Sequence, residues 1–367
     1  MALAKRPPSR SEGRRFFAGR ACRGEEALAV AAAGTASPPA TMVAFDDDHR
    51  VVPADSDAAA ARSDGGLRMG SVTSYEWLNK IGQGAFGAVW KARHRPTGEE
   101  VAVKSLHAGG DGLLREAAML SACAGNPAVV ELREVARGAG DDLHLVMEFV
   151  GPSLHDAVAA RRRRGRAFKE AEARRVMKRL MRGVESMHGR GVVHCDLKPG
   201  NVLVGRQGGG GRVIKICDLG LARSAAAPPP DSEELKGTLW YMAPEQLLGD
   251  KDCGAPVDMW SLGCVMAELV AGRPIFKADT VHEQVAKIVN LLGIPDEVSL
   301  MPLGVSSSAP SQLRDVVPEQ RLSQAGFDVL RGLLEFDPKD RLTAAAALQM
   351  PWFAKKDDDD PSPAGQQ

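Results

Sequence analysis

The sequence lacks several features that would assign it to a class at once. It has no net charge, since 47 Lys and Arg balance 47 Asp and Glu, so no global charge attracts nucleic acid or a membrane surface. No apolar run approaches the roughly 18 residues of a membrane-spanning helix, and no internal repeat is present. The six cysteines are scattered without paired metal-site spacing, which favours a reducing compartment. These absences predict a soluble protein that binds neither nucleic acids nor membranes.

Composition divides the 367 residues into a central part and two tails. Residues 1–70 are rich in Ala, Arg, Ser, Pro and Gly, and we expect them to be disordered. Their Arg-rich, acid-poor beginning leaves three alternatives: a transit peptide, an untargeted tail, or translation that begins at Met42. Residues 356–367 contain the run Asp357–Asp360 and are predicted to be a disordered acidic tail. The favoured location is the nucleus or cytoplasm, with organelle targeting by the N-terminal extension as the alternative.

The central part, residues 75–355, changes character along its length. Val101–Lys104 follows the turn Pro96–Gly98, as the second strand of a hairpin does. Apolar residues recur at helical spacing over 171–190, and residues 257–270 are apolar on nearly every side, as in a buried helix. Strands followed by helices predict an α+β fold, with a small β-rich lobe and a larger helical lobe.

Three glycines near the start of the central part have the spacing G-x-G-x-x-G, from Gly82 to Gly87. The pattern alone is weak, because dinucleotide-binding folds share it. Here Val89–Ala92 continues into a second strand rather than a helix, so the glycines are expected to cap a hairpin whose backbone lies close over phosphate oxygens. The predicted loop residues are Ile81, Gly82, Gln83, Gly84, Ala85, Phe86, Gly87, Ala88 and Val89.

A lysine and a glutamate follow the glycines in the expected order. Lys104 ends an apolar strand, which favours a role in holding the α- and β-phosphates of a nucleotide over that of an ordinary surface charge. Glu116 lies on a predicted helix at a suitable distance to orient this lysine. A single glutamate on a helix is usually solvated, so the pairing depends on the combination.

The stretch His194–Asn201 is the most specific in the chain. Phosphoryl transfer to a hydroxyl needs a carboxylate that accepts the hydroxyl proton, and Asp196 is the candidate. Lys198 would supply positive charge near the γ-phosphate. Asn201 and Asp218 would supply oxygen ligands for Mg²⁺, which prefers carboxylate and phosphate oxygens.

With Ala243–Glu245 completing this order, residues 75–355 resemble a eukaryotic protein kinase. Within the kinases, the sequence resembles the cyclin-dependent group and, among these, the plant F-type proteins. The segments that carry the finer likeness are Leu219–Arg223, Thr238–Tyr241 and Leu292–Glu297. The resemblance implies a bilobal fold with lobes at 75–147 and 151–355, ATP and Mg²⁺ as cofactors, and transfer to Ser or Thr of protein substrates.

The resemblance also assigns roles to individual residues. It implies that adenine lies between Val89 and Ala102 on one side and Leu203 on the other. It places the hinge at Glu148–Val150, with Met147 at the rear of the nucleotide pocket. Further residues that match family positions are Thr238 in the catalytic set, Asp258 bracing the catalytic loop, Arg341 pairing with Glu245, and Leu120, Leu132, His194 and Leu219 in an apolar column between the lobes.

Several positions depart from the pattern of cyclin-dependent kinases. The helix that would dock a cyclin begins Gly109-Gly110-Asp111-Gly112 and keeps only Arg115-Glu116 of the docking sequence, so a cyclin partner is doubtful. Ala85 and Phe86 occupy the positions of an inhibitory Thr-Tyr pair and have no hydroxyl to be phosphorylated. Met242 replaces an arginine that helps to shape the pocket for a proline after the phosphorylated residue, whereas Gly237 still permits the backbone of that pocket.

Control of the activation loop is expected to differ as well. Glu233 stands where relatives carry the activating threonine, and a carboxylate has less charge than a phosphate. Relatives hold that phosphate with three arginines; Arg115 and Arg223 match two of them, and Cys195 occupies the third position. One hypothesis is a loop held permanently by Glu233, and the alternative is that Glu233 and its neighbour Glu234 are both solvated.

Two classes of function remain to be separated. The first is an active Ser/Thr kinase, and the second is a pseudokinase that binds partners without phosphate transfer. The four residues that pseudokinases usually lose are present here, namely Lys104, Asp196, Asn201 and Asp218. The sequence therefore favours the active enzyme.

Overall fold

The computed structural model describes residues 67–84, 87–106, 110–140, 142–206, 211–227, 235–251, 253–293 and 310–355. The predictions for most of the N-terminal extension, for the acidic tail, and for Ala85, Phe86, Glu233 and Glu234 lie outside these residues.

The first half of the domain is a six-stranded sheet with the strand order β1-β5-β6-β4-β3-β2. Its strands are β1 (Met69–Ser71), β2 (Tyr75–Gly84), β3 (Gly87–His94), β4 (Glu100–Leu106), β5 (Leu132–Arg137) and β6 (Leu143–Glu148). The predicted hairpin strand is confirmed, because β4 pairs antiparallel with β3. The hairpin at the glycines is confirmed too: β2 and β3 pair antiparallel as far as Gly84 and Gly87.

The predicted boundary of the N-terminal extension differs from the structure by four residues. Residues 67–70 were expected to be disordered, yet Met69–Ser71 forms a strand parallel to β5. The backbone N–H of Val135 donates to the carbonyl of Arg68 at 2.8 Å, and Leu67 packs on the core. Pairing with the exposed edge of the sheet therefore orders this segment, which its composition does not reveal.

Helix α1 (Gly110–Ala122) forms despite the glycines at its start. Three apolar side chains on one face, Leu113, Ala117 and Leu120, are 2% exposed or less. The tertiary packing of this face offsets the unfavourable helix propensity of Gly110 and Gly112. Glu116, on the same helix, is also buried.

The second half of the domain is mainly helical. Its helices are α2 (Leu154–Arg162), α3 (Glu170–Gly189), α4 (Pro244–Leu247), α5 (Pro256–Ala271), α6 (Val281–Leu292), α7 (Leu313–Val316), α8 (Gln324–Leu333), α9 (Ala344–Leu348) and α10 (Pro351–Ala354). This half also contains two short antiparallel strand pairs: β7 (Val192–Val193) with β10 (Arg223–Ser224), and β8 (Val202–Arg206) with β9 (Arg212–Ile216).

The two helices predicted from the sequence are confirmed as α3 and α5. Every residue from Val257 to Val270 is buried, which explains why α5 is apolar on all sides. The α+β bilobal fold is confirmed as well. Within the described part of the chain, no helix combines the length and apolar content needed to cross a membrane.

Candidate active site

The catalytic loop, His194–Asn201, leaves β7 through a left-handed turn at Cys195, whose φ is 65°. Asp258, on α5, holds this turn by accepting the backbone N–H of His194 at 2.8 Å and that of Cys195 at 2.9 Å. Its Oδ2 also lies 2.9 Å from Nε2 of His188, at the end of α3. The buried carboxylate therefore stabilises a backbone conformation that is unfavourable for a residue other than glycine.

Asp258 is completely buried, and burial by itself raises the pKa of a carboxyl group. The hydrogen bond from His188, the charges of both histidines and the N–H of His194 outweigh burial and lower the pKa of Asp258 below its ordinary value. The group is thus ionised at neutral pH. The contribution of His188 was missed from the sequence, because the two residues are 70 positions apart and no motif joins them.

Asp196 lies at the centre of a tight polar cluster. Its Oδ1 accepts the Thr238 hydroxyl at 2.8 Å and the Thr238 N–H at 2.9 Å. Lys198 Nζ donates to Oδ2 of Asp196 at 2.7 Å and to the Thr238 hydroxyl at 2.6 Å. Asn201 Nδ2 donates to the backbone oxygen of Asp196 at 2.9 Å and to Oδ2 at 3.1 Å. All three predicted catalytic residues, Asp196, Lys198 and Thr238, therefore meet at one point together with Asn201.

A second cluster joins the sheet, α1 and the segment after β9. Lys104 Nζ, on β4, lies 2.8 and 2.7 Å from the two carboxylate oxygens of Glu116 and 2.6 Å from Oδ1 of Asp218. Both Lys104 and Glu116 are buried. The structure thus brings together the predicted lysine, its orienting glutamate and one predicted metal ligand.

Two carboxylates share one ammonium in this cluster. Burial lowers the pKa of Lys104, but the charges of Asp218 and Glu116 outweigh burial and raise it above its ordinary value. Burial raises the pKa of Glu116, and the nearby Asp218 raises it further against the opposing effect of Lys104. For Asp218, the charge and hydrogen bond of Lys104 outweigh burial, so its pKa is lowered. The cluster therefore has an excess of negative charge on the side of Asp218, which suits a cation.

The donor set of Asn201 and Asp218 fits Mg²⁺. The hydrogen bonds of Asn201 use its amide nitrogen, which leaves the amide oxygen for a cation, and Asp218 adds carboxylate oxygen. Among the described residues, no group of three or more His, Cys, Asp or Glu is arranged to hold a metal. Two oxygen ligands completed by substrate phosphates are the arrangement that Mg²⁺ favours in phosphate-transferring sites.

The remaining predicted nucleotide-binding residues lie along the glycine hairpin, β4 and the hinge. Ile81 and Gln83 are exposed, Gly82, Val89, Glu148, Val150 and Leu203 are half-buried, and Gly87, Ala88 and Ala102 are buried. Gly87 has a φ of 149°, which disfavours residues with a side chain. The carboxylate of Glu148 accepts the backbone N–H of Glu131 at 2.7 Å and pairs with Lys215. The Glu148 side chain therefore anchors the hinge, and only its backbone is left for a ligand.

The activation segment, residues 218–245, contains the activation loop and is anchored at both ends. At its start, β10 pairs with β7, and the guanidinium of Arg223 lies close enough to Cys195 for its charge to lower the pKa of that thiol against the effect of burial. At its end, Arg341 makes two hydrogen bonds to the carboxylate of Glu245, at 2.6 and 2.9 Å. The pairing of Arg341 with Glu245 was expected, whereas the contact between Arg223 and Cys195 was not.

Two buried hydrogen bonds in the core also anchor this segment. The Tyr241 hydroxyl donates to Glu268 at 2.6 Å, and the Ser261 hydroxyl donates to the Tyr241 carbonyl at 2.8 Å. No spacing in the sequence indicates these contacts.

The residues predicted to form an apolar column between the lobes lie in the core, where Leu120, His194 and Leu219 are buried and Leu132 is half-buried.

Comparison with known proteins agrees with this geometry. The family model described as "Protein kinase domain" matches residues 75–353. A rice protein named "Putative cyclin-dependent kinase F-2" (Oryza sativa subsp. japonica) is 48% identical over 304 residues, which cover 77% of this chain and 90% of that protein. "Cyclin-dependent kinase B2-2" of Arabidopsis thaliana is 37% identical over 302 residues, 77% of this chain and 94% of the relative. "Cyclin-dependent kinase G-2" of Oryza sativa subsp. indica is 39% identical over 305 residues, 77% of this chain but only 42% of that longer protein.

Proposed function

This chain belongs to the protein kinase family as a cyclin-dependent-kinase-like Ser/Thr kinase, and we propose that Asp196 is the base of its phosphoryl transfer. The observation that carries this proposal is the convergence of Lys198, Asn201 and Thr238 on Asp196, with contacts of 2.7 to 3.1 Å. A carboxylate held on three sides has a fixed direction, which is what positioning a substrate hydroxyl requires.

Each neighbour of Asp196 has a distinct role in the proposal. Lys198 places a positive charge beside the carboxylate, where negative charge develops on the transferred γ-phosphoryl group of the substrate ATP. Thr238 orients Asp196 and ties the activation segment to the catalytic loop. The Asp196 carboxylate receives the proton of a Ser or Thr hydroxyl as that oxygen attacks the γ-phosphorus, and the bond from this phosphorus to the bridging oxygen breaks to release ADP.

The nucleotide would be held between the two lobes. In this proposal Lys104 binds the α- and β-phosphates, and Glu116 keeps its ammonium in place. Asn201 and Asp218 would hold Mg²⁺, which when bound neutralises negative charge on the phosphates. The glycine hairpin from Gly82 to Gly87 would cover the phosphates with backbone.

A transfer assay with a metal series tests the proposed site. The purified chain is given γ-labelled ATP, a generic basic protein as acceptor, and Mg²⁺ at increasing concentration. We expect label on Ser or Thr after acid hydrolysis, and a higher Mg²⁺ requirement in Asn201→Ala than in wild type. Transfer that persists in the presence of excess EDTA, or an unchanged Mg²⁺ requirement in Asn201→Ala, would contradict the assignment.

We also propose that the kinase is active without a cyclin. The support is the contact of 2.7 Å between Lys104 and Glu116, made by a helix whose apolar face is already buried in the chain itself. Because its relatives are named cyclin-dependent kinases, the proposal is tested by measuring activity with and without a cyclin. The specific activity of the chain purified alone is expected to be independent of enzyme concentration and unchanged by added plant cyclins. Strong activation by a cyclin would refute this proposal.

Substrate preference is proposed to include, but not require, proline after the acceptor residue. Gly237 has a φ of 123°, and a Cβ atom there would lie 3.1 Å from Cε of Met242. This supports a small apolar pocket formed without the arginine of relatives. Paired peptides that differ only in Ser-Pro and Ser-Ala should differ in kcat/KM by less than about tenfold, which corresponds to 1.4 kcal/mol. A larger preference would show that Met242 fully replaces the arginine.

A further inference from the structure

Behind the hinge lies an open cleft of about 540 Å³ that shares only hinge residues with the predicted nucleotide site. It is lined by α3, by β8 and β9, and by the hinge segment Glu148–Val150. None of Lys104, Asp196, Asn201 and Asp218 lines it. Its charged lining residues are the five cations Arg179, Arg182, Arg206, Arg212 and Lys215 and the single acid Glu148.

Most of this positive charge is not neutralised within the described part of the chain. Lys215 pairs with Glu148, but Arg179 donates only to a neutral backbone oxygen, that of Arg212. Arg182 and Arg206 are exposed and form no ion pair with any described residue. A concave surface with several uncompensated guanidinium groups attracts carboxylates or phosphates.

Arg212 has an acid nearby, but that acid is already engaged. The charge of Arg212 helps to lower the pKa of Glu172, but the Glu172 carboxylate accepts two hydrogen bonds from Arg161 at 2.7 and 2.8 Å. Glu172 therefore neutralises Arg161 first, and the cleft keeps an excess of positive charge.

The end of the described chain lies beside the helix that forms one wall of the cleft. Lys178 Nζ, on α3, donates to the backbone oxygen of Phe353 at 2.9 Å. Arg182 is four residues further along α3, about 6 Å away at 1.5 Å per residue. The acidic run Asp357–Asp360 begins four residues after Phe353. Because an extended chain spans at most about 3.4 Å per residue, Asp357 can lie up to about 14 Å and Asp360 up to about 24 Å from Phe353, which is long enough to reach Arg182.

We propose that Asp357–Asp360 occupies the cleft behind the hinge and pairs with its arginines. The run supplies four carboxylates to a surface with four arginines that lack a full counter-charge. The short tether raises the effective concentration of the run to about the millimolar range, so that modest charge pairing is sufficient. The cleft is thus a docking surface for an acidic segment, and the chain supplies its own occupant.

Binding of a labelled peptide to the full chain tests the proposal without reference to phosphate transfer. The probe is a fluorescein-labelled peptide of residues 355–364, followed by anisotropy. One protein is wild type, and a second carries Asn at positions 357–360, which removes the charge and keeps the length. A third adds Arg182→Glu and Arg206→Glu to the second. A matched control instead adds Arg273→Glu and Arg331→Glu, which are exposed arginines outside the cleft with the same change in charge.

The proposal predicts how the affinity for the peptide differs among the four proteins. The Asn protein and the matched control bind the peptide equally, and their affinity falls as salt is raised. Wild type binds the peptide about tenfold more weakly than the Asn protein does, because its own tail competes at about millimolar effective concentration. The protein with Arg182→Glu and Arg206→Glu does not bind. Equal binding by wild type and the Asn protein, equal binding by the two charge-reversed proteins, or no binding by any protein would each overturn the proposal.

Discussion

The hydroxyl of Thr238 donates a hydrogen bond of 2.8 Å to the carboxylate of Asp196, although the two residues are 42 positions apart in the chain. The backbone N–H of Thr238 donates to the same oxygen at 2.9 Å. One residue at the end of the activation segment therefore fixes the direction of the proposed base. In the proposed mechanism, phosphate transfer therefore depends on the conformation of the activation segment.

Replacing Thr238 by alanine should lower kcat by about tenfold or more. The change removes a hydrogen bond to a charged group, which is worth about 1.5–3 kcal/mol, but keeps the backbone donor. Thr238→Ser retains the hydroxyl and should retain most of the rate. Steady-state kinetics at saturating ATP provide the measurement; equal rates for the Ala and Ser variants would show that the hydroxyl does not orient Asp196.

Removing the shared ammonium should destabilise the fold, and neutralising its partner should restore part of the loss. Lys104→Met leaves Glu116, 2% exposed, as an uncompensated buried charge, with an expected cost of about 3 kcal/mol. The double variant Lys104→Met/Glu116→Gln should be more stable than Lys104→Met alone. Urea unfolding of wild type, Lys104→Met, Glu116→Gln and the double variant is the measurement. Strictly additive effects of the two substitutions would contradict the pairing.

Stability should depend on Asp258 in a pH-dependent manner. Its pKa is lowered in the folded state, so the ionised group contributes stability above the unfolded value of about 3.9 and loses it as pH falls through the lower folded value. Asp258→Asn should therefore be clearly less stable than wild type at pH 7, and the difference should shrink below about pH 4. Denaturant titrations at several pH values measure it. A difference that grows on acidification would exclude the proposed network with His188 and His194.

Cys195 should be a poor nucleophile despite its position in the catalytic loop. Burial, followed by the charge of Asp258, raises its pKa to about 12 against the opposing effect of Arg223. At pH 8 its thiolate fraction is then about a thousandfold below that of a thiol with the ordinary pKa of about 8.5. Time-resolved iodoacetamide labelling with peptide mass spectrometry measures the rate. Labelling of Cys195 as rapid as that of free glutathione would contradict the assigned environment.

Substitution of Glu233 distinguishes the two alternatives for the activation loop, namely a loop held by the Glu233 carboxylate and a loop whose glutamates are solvated. If the Glu233 carboxylate holds the activation segment against Arg115 and Arg223, Glu233→Ala should lower kcat by about two- to fivefold, as expected for loss of an exposed ion pair worth up to about 1 kcal/mol. Glu234→Ala is the neighbouring control and should have no effect. Unchanged activity of Glu233→Ala would show that both glutamates are merely solvated.

The motif residues could be predicted from the sequence because each carries chemistry at a fixed local spacing. Asp196, Lys198 and Asn201 lie within six residues, and the structure brings them together. The missed residues act across long separations: His188 supports Asp258 from another helix, and Glu268 meets Tyr241 in the core. No local pattern marks such partners, because a buried polar group is satisfied by whichever element the fold places beside it.

Two features of the secondary structure also depend on contacts that no local pattern shows. The order of Met69–Ser71 depends on pairing with β5, some 60 residues later, and composition alone carries no sign of it. Likewise, helix α1 begins at Gly110, where propensity predicts a weak start, because Leu113 and Leu120 are buried in the core. In both places tertiary contacts override the local preference.

Asp196 is proposed to act as the base of phosphate transfer in an active kinase. The most direct test of this role is transfer of labelled phosphate from ATP–Mg²⁺ to a generic protein substrate by wild type and by Asp196→Asn, with nucleotide binding measured for both proteins. We predict clear transfer by wild type, transfer by Asp196→Asn reduced by at least about a hundredfold, and similar affinity for ATP. Equal transfer by the two proteins, or no transfer by either while both bind ATP, would contradict the account and favour a binding role without catalysis.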